Sequence, residues 1–138
     1  FRAYRTIVLL DYLPQVFWKI MLPLHRGRKI VSDRYVYDTA VNLELNLGCN
    51  VDRAIRFARA FFRIFPEPDL TFLVDVPEEV AFSRKHDVPD IEYLRERRRL
   101  YQQMAKVFNM IVLDGTLSVE ALTNTVVETI QWKRQREV

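Results

Sequence analysis

Two rhythms of hydrophobic and polar positions alternate along the chain. In the first, apolar residues recur three and four apart: Ile7, Leu10, Pro14, Phe17, Met21 and Leu24 form one stripe, Ile55, Ala58, Phe62 and Phe65 another, and Val119, Leu122, Val126 and Ile130 a last one. That spacing places each set on one side of a helix. In the second rhythm apolar residues follow one another with few breaks, as in Ile30-Val31, Leu70 to Val76 and Met110 to Leu113. Short runs of this kind read as strands buried on both faces, the sort that parallel sheets use.

Local punctuation sets the boundaries. Pro14 predicts a kink in the first helix and Gly27 its stop, so that Ile30-Val31 enters a strand ending near Ser32. Residues 36–47 read as helical or irregular up to Gly48-Cys49-Asn50, where Asn50 is the N-cap of the next helix. Pro66-Glu67-Pro68 breaks that helix. Pro77 suits the first turn of another, with Glu78 and Glu79 at its positive end. It passes through Val80 and Phe82 into the polar run Ser83-Arg84-Lys85-His86-Asp87, closed by Pro89. Asp90 then caps a long helix striped by Ile91, Leu94, Arg98, Tyr101, Ala105 and Phe108. Arg98 is the odd member of that stripe: its guanidinium either snorkels to the edge or reaches a buried anion. Gly115-Thr116 turns the chain after the last strand, Ser118 caps the closing helix, and residues 133–138 read as a charged, frayed tail.

Strands alternating with helices imply an α/β fold with a mainly parallel sheet and helical crossovers. No repeat or linker divides it, and 138 residues with 49% apolar content suit a single domain, 1–138. The segment from Thr6 to Leu24 holds Asp11, Pro14, Lys19 and Pro23, which argues against a membrane span. One cysteine, Cys49, excludes an intramolecular disulfide, and two histidines give no zinc-ligand spacing, so a reducing, cytoplasmic setting is expected. The net charge of +3 is spread along the chain. Arg53, Arg56, Arg59 and Arg63 stand opposite the second apolar stripe; a solvated helix face is the preferred account over a phosphate-binding stripe, and nucleic acid is not an expected partner.

The candidate chemistry lies where apolar runs end. All three end in an acid, at Asp33, Asp75 and Asp114, and in open α/β sheets ligands bind outside the carboxyl ends of the strands. An Asp at such a position also caps the following turn. The cap is the favoured account for Asp114, before Gly115, while Asp75 stands evenly between the two roles. Asp33 differs because Arg34 and Tyr35 follow at once, supplying an anion-binding fork and a phenol.

Three blocks in this order, Ser32-Asp33-Arg34-Tyr35, then Pro68-Asp69-Leu70-Thr71-Phe72-Leu73-Val74-Asp75-Val76-Pro77-Glu78-Glu79-Val80-Ala81, then Val112-Leu113-Asp114-Gly115-Thr116-Leu117-Ser118-Val119-Glu120, resemble thymidylate kinases. The likeness runs from about Leu9 to Ile130, and the compact stretch from Arg84 to Asp90 resembles members with a shortened lid. The resemblance implies a P-loop nucleoside monophosphate kinase fold, a three-layer parallel sheet with helices on both faces, that transfers the γ-phosphoryl of Mg-ATP to a thymidylate-like acceptor. It places Asp33 near Mg2+ and the acceptor phosphate, Arg34 on that phosphate, and Tyr35, Tyr37 and Asp38 on the acceptor side. Arg84 and Lys85 would be lid cations acting on the phosphoryl group in flight, against the plainer account of cations at a helix C-terminus. The loop at Asp114 and Gly115 would lie against adenine. Nucleotides are the implied partners, with homodimer formation left open.

The likeness has gaps. No Gly-x-x-x-x-Gly-Lys-Ser/Thr occurs; the first two strands and the P-loop would precede Phe1, and this chain alone is expected to be inactive. The arginine expected on the first helix falls at Leu13, and Tyr37-Asp38-Thr39-Ala40-Val41-Asn42 replaces the usual small-hydroxyl and tyrosine pattern. The acceptor therefore stays open between dTMP and another phosphorylated metabolite. The alternatives are a non-catalytic binding or scaffold module that keeps the fold, and a basic nucleic-acid binder.

Overall fold

The computed structural model describes residues 13–48, 50–84 and 90–136. They fall into two compact units, Phe1–Glu67 and Pro68–Val138.

The first unit is helical. Residues 13–16 are α-helical and widen into a π-helical turn at Phe17–Met21, which passes into α1 (Leu22–His25). The turn before Pro14, where a kink was expected, lies outside the described residues, and the irregularity that is seen precedes Pro23. Pro23 explains it: the ring has no N–H to give and crowds the carbonyl four residues back, and the turn before it is widened so that the Leu22 N–H bonds the Phe17 carbonyl. Ile7 and Leu10 lie outside the described residues. Residues 36–47 resolve as a full helix, α2 (Val36–Leu47), stopped by Gly48 at φ +104, where its N–H donates to the Glu44 carbonyl. In α3 (Val51–Phe62) the Asn50 side chain accepts from the Arg53 N–H at 2.9 Å, as the cap requires.

The core of this unit is where α2 meets α3, through Val36, Tyr37, Ala40, Val41 and Leu43 against Ala54, Phe57, Ala58 and Phe61. The buried stripe of α3 is therefore turned by one position from Ile55-Ala58-Phe62-Phe65: Ile55 and Phe62 are half-buried, while Ala58 and Phe65 are buried. Both sets satisfy a helical period, and the face of α2 selects between them. Nor is Arg53 part of a solvated face. Its Nε donates to Glu44 Oε2 at 2.9 Å and its Nη2 to the Leu47 carbonyl at 2.9 Å, neutralising a glutamate that is only 1% exposed. Glu44 Oε1 finds no hydrogen-bond partner among the described residues, an omission that costs about 1–3 kcal/mol.

Ile30-Val31 does not form a strand. Residues 28–32 are irregular and Val31 is 98% exposed, because a strand exists only as part of a ladder, and among the described residues the sheet consists of two later strands.

Those two strands lie in the second unit. β1 (Phe72–Asp75) and β2 (Ile111–Asp114) pair in parallel with Phe72 opposite Ile111 and Asp75 opposite Asp114. A parallel pair needs a long crossover, supplied by α4 (Glu78–Arg84) and α5 (Ile91–Val107). Asp90 caps α5, its carboxylate accepting from the Tyr93 N–H at 2.7 Å. Leu100, Met104 and Ala105 of α5, with Met110 and Leu113, are buried and form this unit's core. Gly115 is required by crowding: a Cβ there would stand 2.3 Å from Val76 Cγ2, and its N–H donates to the Asp75 carbonyl at 2.8 Å. The closing helix α6 (Val119–Arg136) half-buries Leu122 and Val126 but leaves Val119 and Ile130 exposed, and Lys133 Nζ ties it to the Asp69 carbonyl at 2.6 Å. The architecture is a mixed α/β one with a small parallel sheet, consistent with a kinase-like fold. No helix among the described residues is long and apolar enough to cross a membrane.

Candidate functional site

In the first unit, the turn before α2 carries Ser32-Asp33-Arg34-Tyr35. Asp33 is exposed, and among the described residues no cation or donor engages its carboxylate. Arg34 has φ +64, a left-handed conformation that residues with a Cβ adopt at a cost of about 1–2 kcal/mol. The turn is fixed on both sides. The Ser32 hydroxyl donates to the Arg34 carbonyl at 2.7 Å, and the Tyr35 hydroxyl donates to the Pro66 carbonyl at 3.1 Å while its ring meets Phe61 edge-on at 5.8 Å. Arg34 Nη1 reaches Asp38 Oδ2 at 3.8 Å, and Asn42 Nδ2 donates to the same oxygen at 2.9 Å. The Arg34 side chain nevertheless stays 63% exposed. A cavity of about 350 Å³ opens beside it, lined by Gln15, Val16, Lys19, Asp33, Arg34 and Tyr35 among others. The Tyr37 ring is buried and stands 5.3 Å from Phe62, a core position.

In the second unit, Asp75 ends β1 in an ion-pair network. Arg98 of α5 grips it with two bonds, Nε to Oδ1 at 2.8 Å and Nη2 to Oδ2 at 2.9 Å, and its Nη1 donates to Glu78 Oε2 at 2.7 Å. Gln102 Nε2 adds a bond to Asp75 Oδ2 at 3.1 Å, and Arg95 Nε one to Glu78 Oε1 at 3.2 Å. Arg98 thus takes the second of its two expected roles and reaches an anion. Its hydrogen bonds hold the Asp75 carboxyl below the usual range against the opposing effect of burial. The same guanidinium, with a backbone bond and Arg95, lowers Glu78 to about 2. The bonds from Asp75, then Glu78, raise Arg98 in turn.

Asp114 caps its own turn: its Oδ1 accepts from the Thr116 hydroxyl at 2.6 Å and the Thr116 N–H at 2.9 Å, and these bonds lower its pKa. Arg84, the last residue of α4, is exposed; Lys85 lies outside the described residues. Within each unit, then, the structure gathers Asp33, Arg34, Tyr35 and Asp38 at one turn, and sets Asp114 and Gly115 at the end of β2. Gln102 escaped the sequence reading, and Glu78 and Ser32 were read only as a helix start and a motif residue, without the partners they have here. Gln102 follows Arg98 by four residues on the same helix side, which was the available signal.

A divalent ion of the Mg2+ type takes one or two carboxylates and fills its remaining positions with phosphate oxygens and water. No group of three or more acidic, histidine or cysteine side chains that could enclose a metal occurs among the described residues. Asp33, with an unengaged carboxylate, fits the single-ligand role; Asp75 does not, since Arg98 occupies both its oxygens.

Fold and site together define an α/β protein that presents an arginine-bearing turn at the start of a helix, an arrangement suited to an anionic ligand. The family model for thymidylate kinase matches residues 10–126, and the chain belongs to that family. It is 38% identical over 109 residues to a probable thymidylate kinase of Metallosphaera sedula, covering 74% of this chain and 53% of that protein. A probable thymidylate kinase of Saccharolobus solfataricus is 31% identical over 107 residues (74% and 54%), and a thymidylate kinase of Prochlorococcus marinus 27% over 126 residues (81% and 56%). The chain spans about half the length of these curated relatives.

Proposed function

We propose that the intact protein is a thymidylate kinase-like phosphotransferase that moves the γ-phosphoryl of ATP to a nucleoside monophosphate, dTMP or a related phosphorylated acceptor. These residues supply the acceptor side and the lid portion of a P-loop kinase domain. The observation that carries the reading is the Arg34 turn: a guanidinium held on a strained, hydrogen-bonded backbone, largely exposed beside a cavity, next to an unengaged carboxylate. Preorganised cations of this kind are what phosphoryl transfer demands, since its catalysis rests on positioning and charge stabilisation.

In this reading an acceptor phosphate oxygen attacks Pγ, the bond from Pγ to the β–γ bridging oxygen breaks, and ADP leaves. Arg34 binds the acceptor phosphate through the donors it does not share with Asp38. Tyr35 and Asp38 hold the turn, and Tyr37 supports it from the core. Asp33 offers one oxygen to Mg2+, which when bound neutralises charge on the phosphates. Arg84 and Lys85 are the cations assigned to the transferred group, and Asp114 and Gly115 the residues assigned to adenine. The phosphate cradle for ATP is no part of these 138 residues, so transfer requires chain beyond them. A soluble cytoplasmic enzyme accords with this substrate class.

The test is an acceptor screen on the full-length protein: ATP with each common nucleoside monophosphate, monitored for the diphosphate product. Conversion of dTMP or a related monophosphate is expected. Failure to phosphorylate any monophosphate would overturn the proposal in favour of a binding module.

A further inference from the structure

α4 is short, carries Arg84 at its C-terminal end, and buries none of its side chains. Its direction is therefore not set by a core of its own. Its N-terminal residue, Glu78, is instead held by two guanidinium groups of α5, Arg98 at 2.7 Å and Arg95 at 3.2 Å. Arg98 is in turn locked to the end of β1 by its two bonds to Asp75, with Gln102 bracing the second oxygen. α5 itself is anchored independently, through buried Leu100, Met104 and Ala105. One planar guanidinium thus joins a fixed strand end and a fixed helix to the start of a helix none of whose side chains is fully buried.

We propose that Arg98 is a positioning residue for phosphoryl transfer: by bridging Asp75 and Glu78 it sets the inclination of α4 and so the place of Arg84. This rests on the reading of Arg84 given above. Six residues of helix rise separate Glu78 from Arg84, about 9 Å, so a tilt of about 10° at the clamp moves the far end by about 1.5 Å. A displacement on the order of 1 Å at a reacting centre can cost about 10²-fold in rate. A lysine keeps the charge of Arg98 but lacks the fork that spans two carboxylates.

The experiment is a double-mutant cycle in the full-length protein. Arg84→Ala alone is expected to lower kcat by roughly 10²-fold or more. Arg98→Lys is expected to lower kcat by about 10–100-fold with the acceptor KM changed less than about twofold. Adding Arg84→Ala to Arg98→Lys should cost less than about tenfold more, because a misplaced Arg84 has little left to lose. Glu78→Gln, which spares the Arg98–Asp75 pair, should give a smaller kcat loss in the same direction and guards against a failure of Arg98→Lys to fold. The inference is overturned if both Arg98→Lys and Glu78→Gln leave kcat unchanged, or if the Arg84 and Arg98 losses simply multiply, as they would for a structural role alone. An Arg84→Ala variant with full activity would instead remove Arg84 from the mechanism, and the inference with it.

Discussion

Asp33 and Asp75 each end an apolar run, and the two units of the protein treat them in opposite ways. Asp33 is unengaged among the described residues, on an exposed turn beside an arginine whose backbone sits in the left-handed region. Asp75 is gripped by Arg98, braced by Gln102, and held well within its ionised range. A carboxylate whose lone pairs are filled by a guanidinium fork has little left to offer a ligand, whereas one without partners keeps its full capacity. The difference makes Asp75, at the end of β1, architectural, while Asp33 follows an apolar run that is no strand and, among the described residues, keeps its carboxylate available, as the proposed role requires.

The sharpest way to break this contrast is at Arg34. Arg34→Ala in the full-length enzyme is expected to reduce phosphoryl transfer by about 10²–10³-fold while leaving the thermal midpoint nearly unchanged, since the side chain is 63% exposed and its ion pair with Asp38 is long, at 3.8 Å. An unaltered rate would deny Asp33 and Arg34 their chemical role. A milder probe of the same turn is Ser32→Ala, which removes the 2.7 Å bond to the Arg34 carbonyl; a rate loss of roughly 3–10-fold is expected, read from initial velocities.

On the architectural side, Arg98→Met should act on stability. It strands Asp75 and Glu78 without their common cation, and the midpoint of thermal unfolding, followed by circular dichroism, is expected to fall by roughly 2–6 °C. No shift would mean the network is ornamental. The subtlest test is acid titration. Asp75 and Glu78 are both held below their ordinary values, so the folded state binds fewer protons than the unfolded one across that range. Their contribution is therefore fully present above the ordinary carboxyl pKa of 4.5 and is lost as pH falls through the folded value of Glu78, about 2. Unfolding midpoints measured through that window should decline in the native protein and decline less in Arg98→Met, which keeps only the smaller effects of the Glu78 backbone bond, Arg95 and Gln102.

Much of this was legible in the residues. Asn50 and Asp90 cap the helices they were expected to cap, Gly48 ends a helix, and the runs at 70–76 and 110–114 became the paired strands, because caps, glycines and apolar runs act over three or four residues of chain. The resemblance to thymidylate kinases was legible for the same reason: it rests on contiguous blocks. Less was legible where the deciding partner lies far along the sequence. Arg98 carried two readings until Asp75, 23 residues away, proved to be its partner, and Arg53 looked solvated until Glu44 was found beside it. Of the candidate site residues, Asp33, Arg34, Tyr35 and Asp38 came together as neighbours in sequence must. Tyr37 did not present its ring, because helical geometry turned it into the core.

The sequence by itself determined the order and type of most elements, their caps and stops, and the family, all of which depend on short-range stereochemistry and contiguous motifs. Only the tertiary structure decided which side of α3 is buried, whether Ile30-Val31 is a strand, and which of three similar acids an arginine grips. Those outcomes depend on through-space partners. A ladder needs a second strand and an ion pair a second charge within about 4 Å, and nothing local to Asp33, Asp75 or Asp114 states which of them will find one.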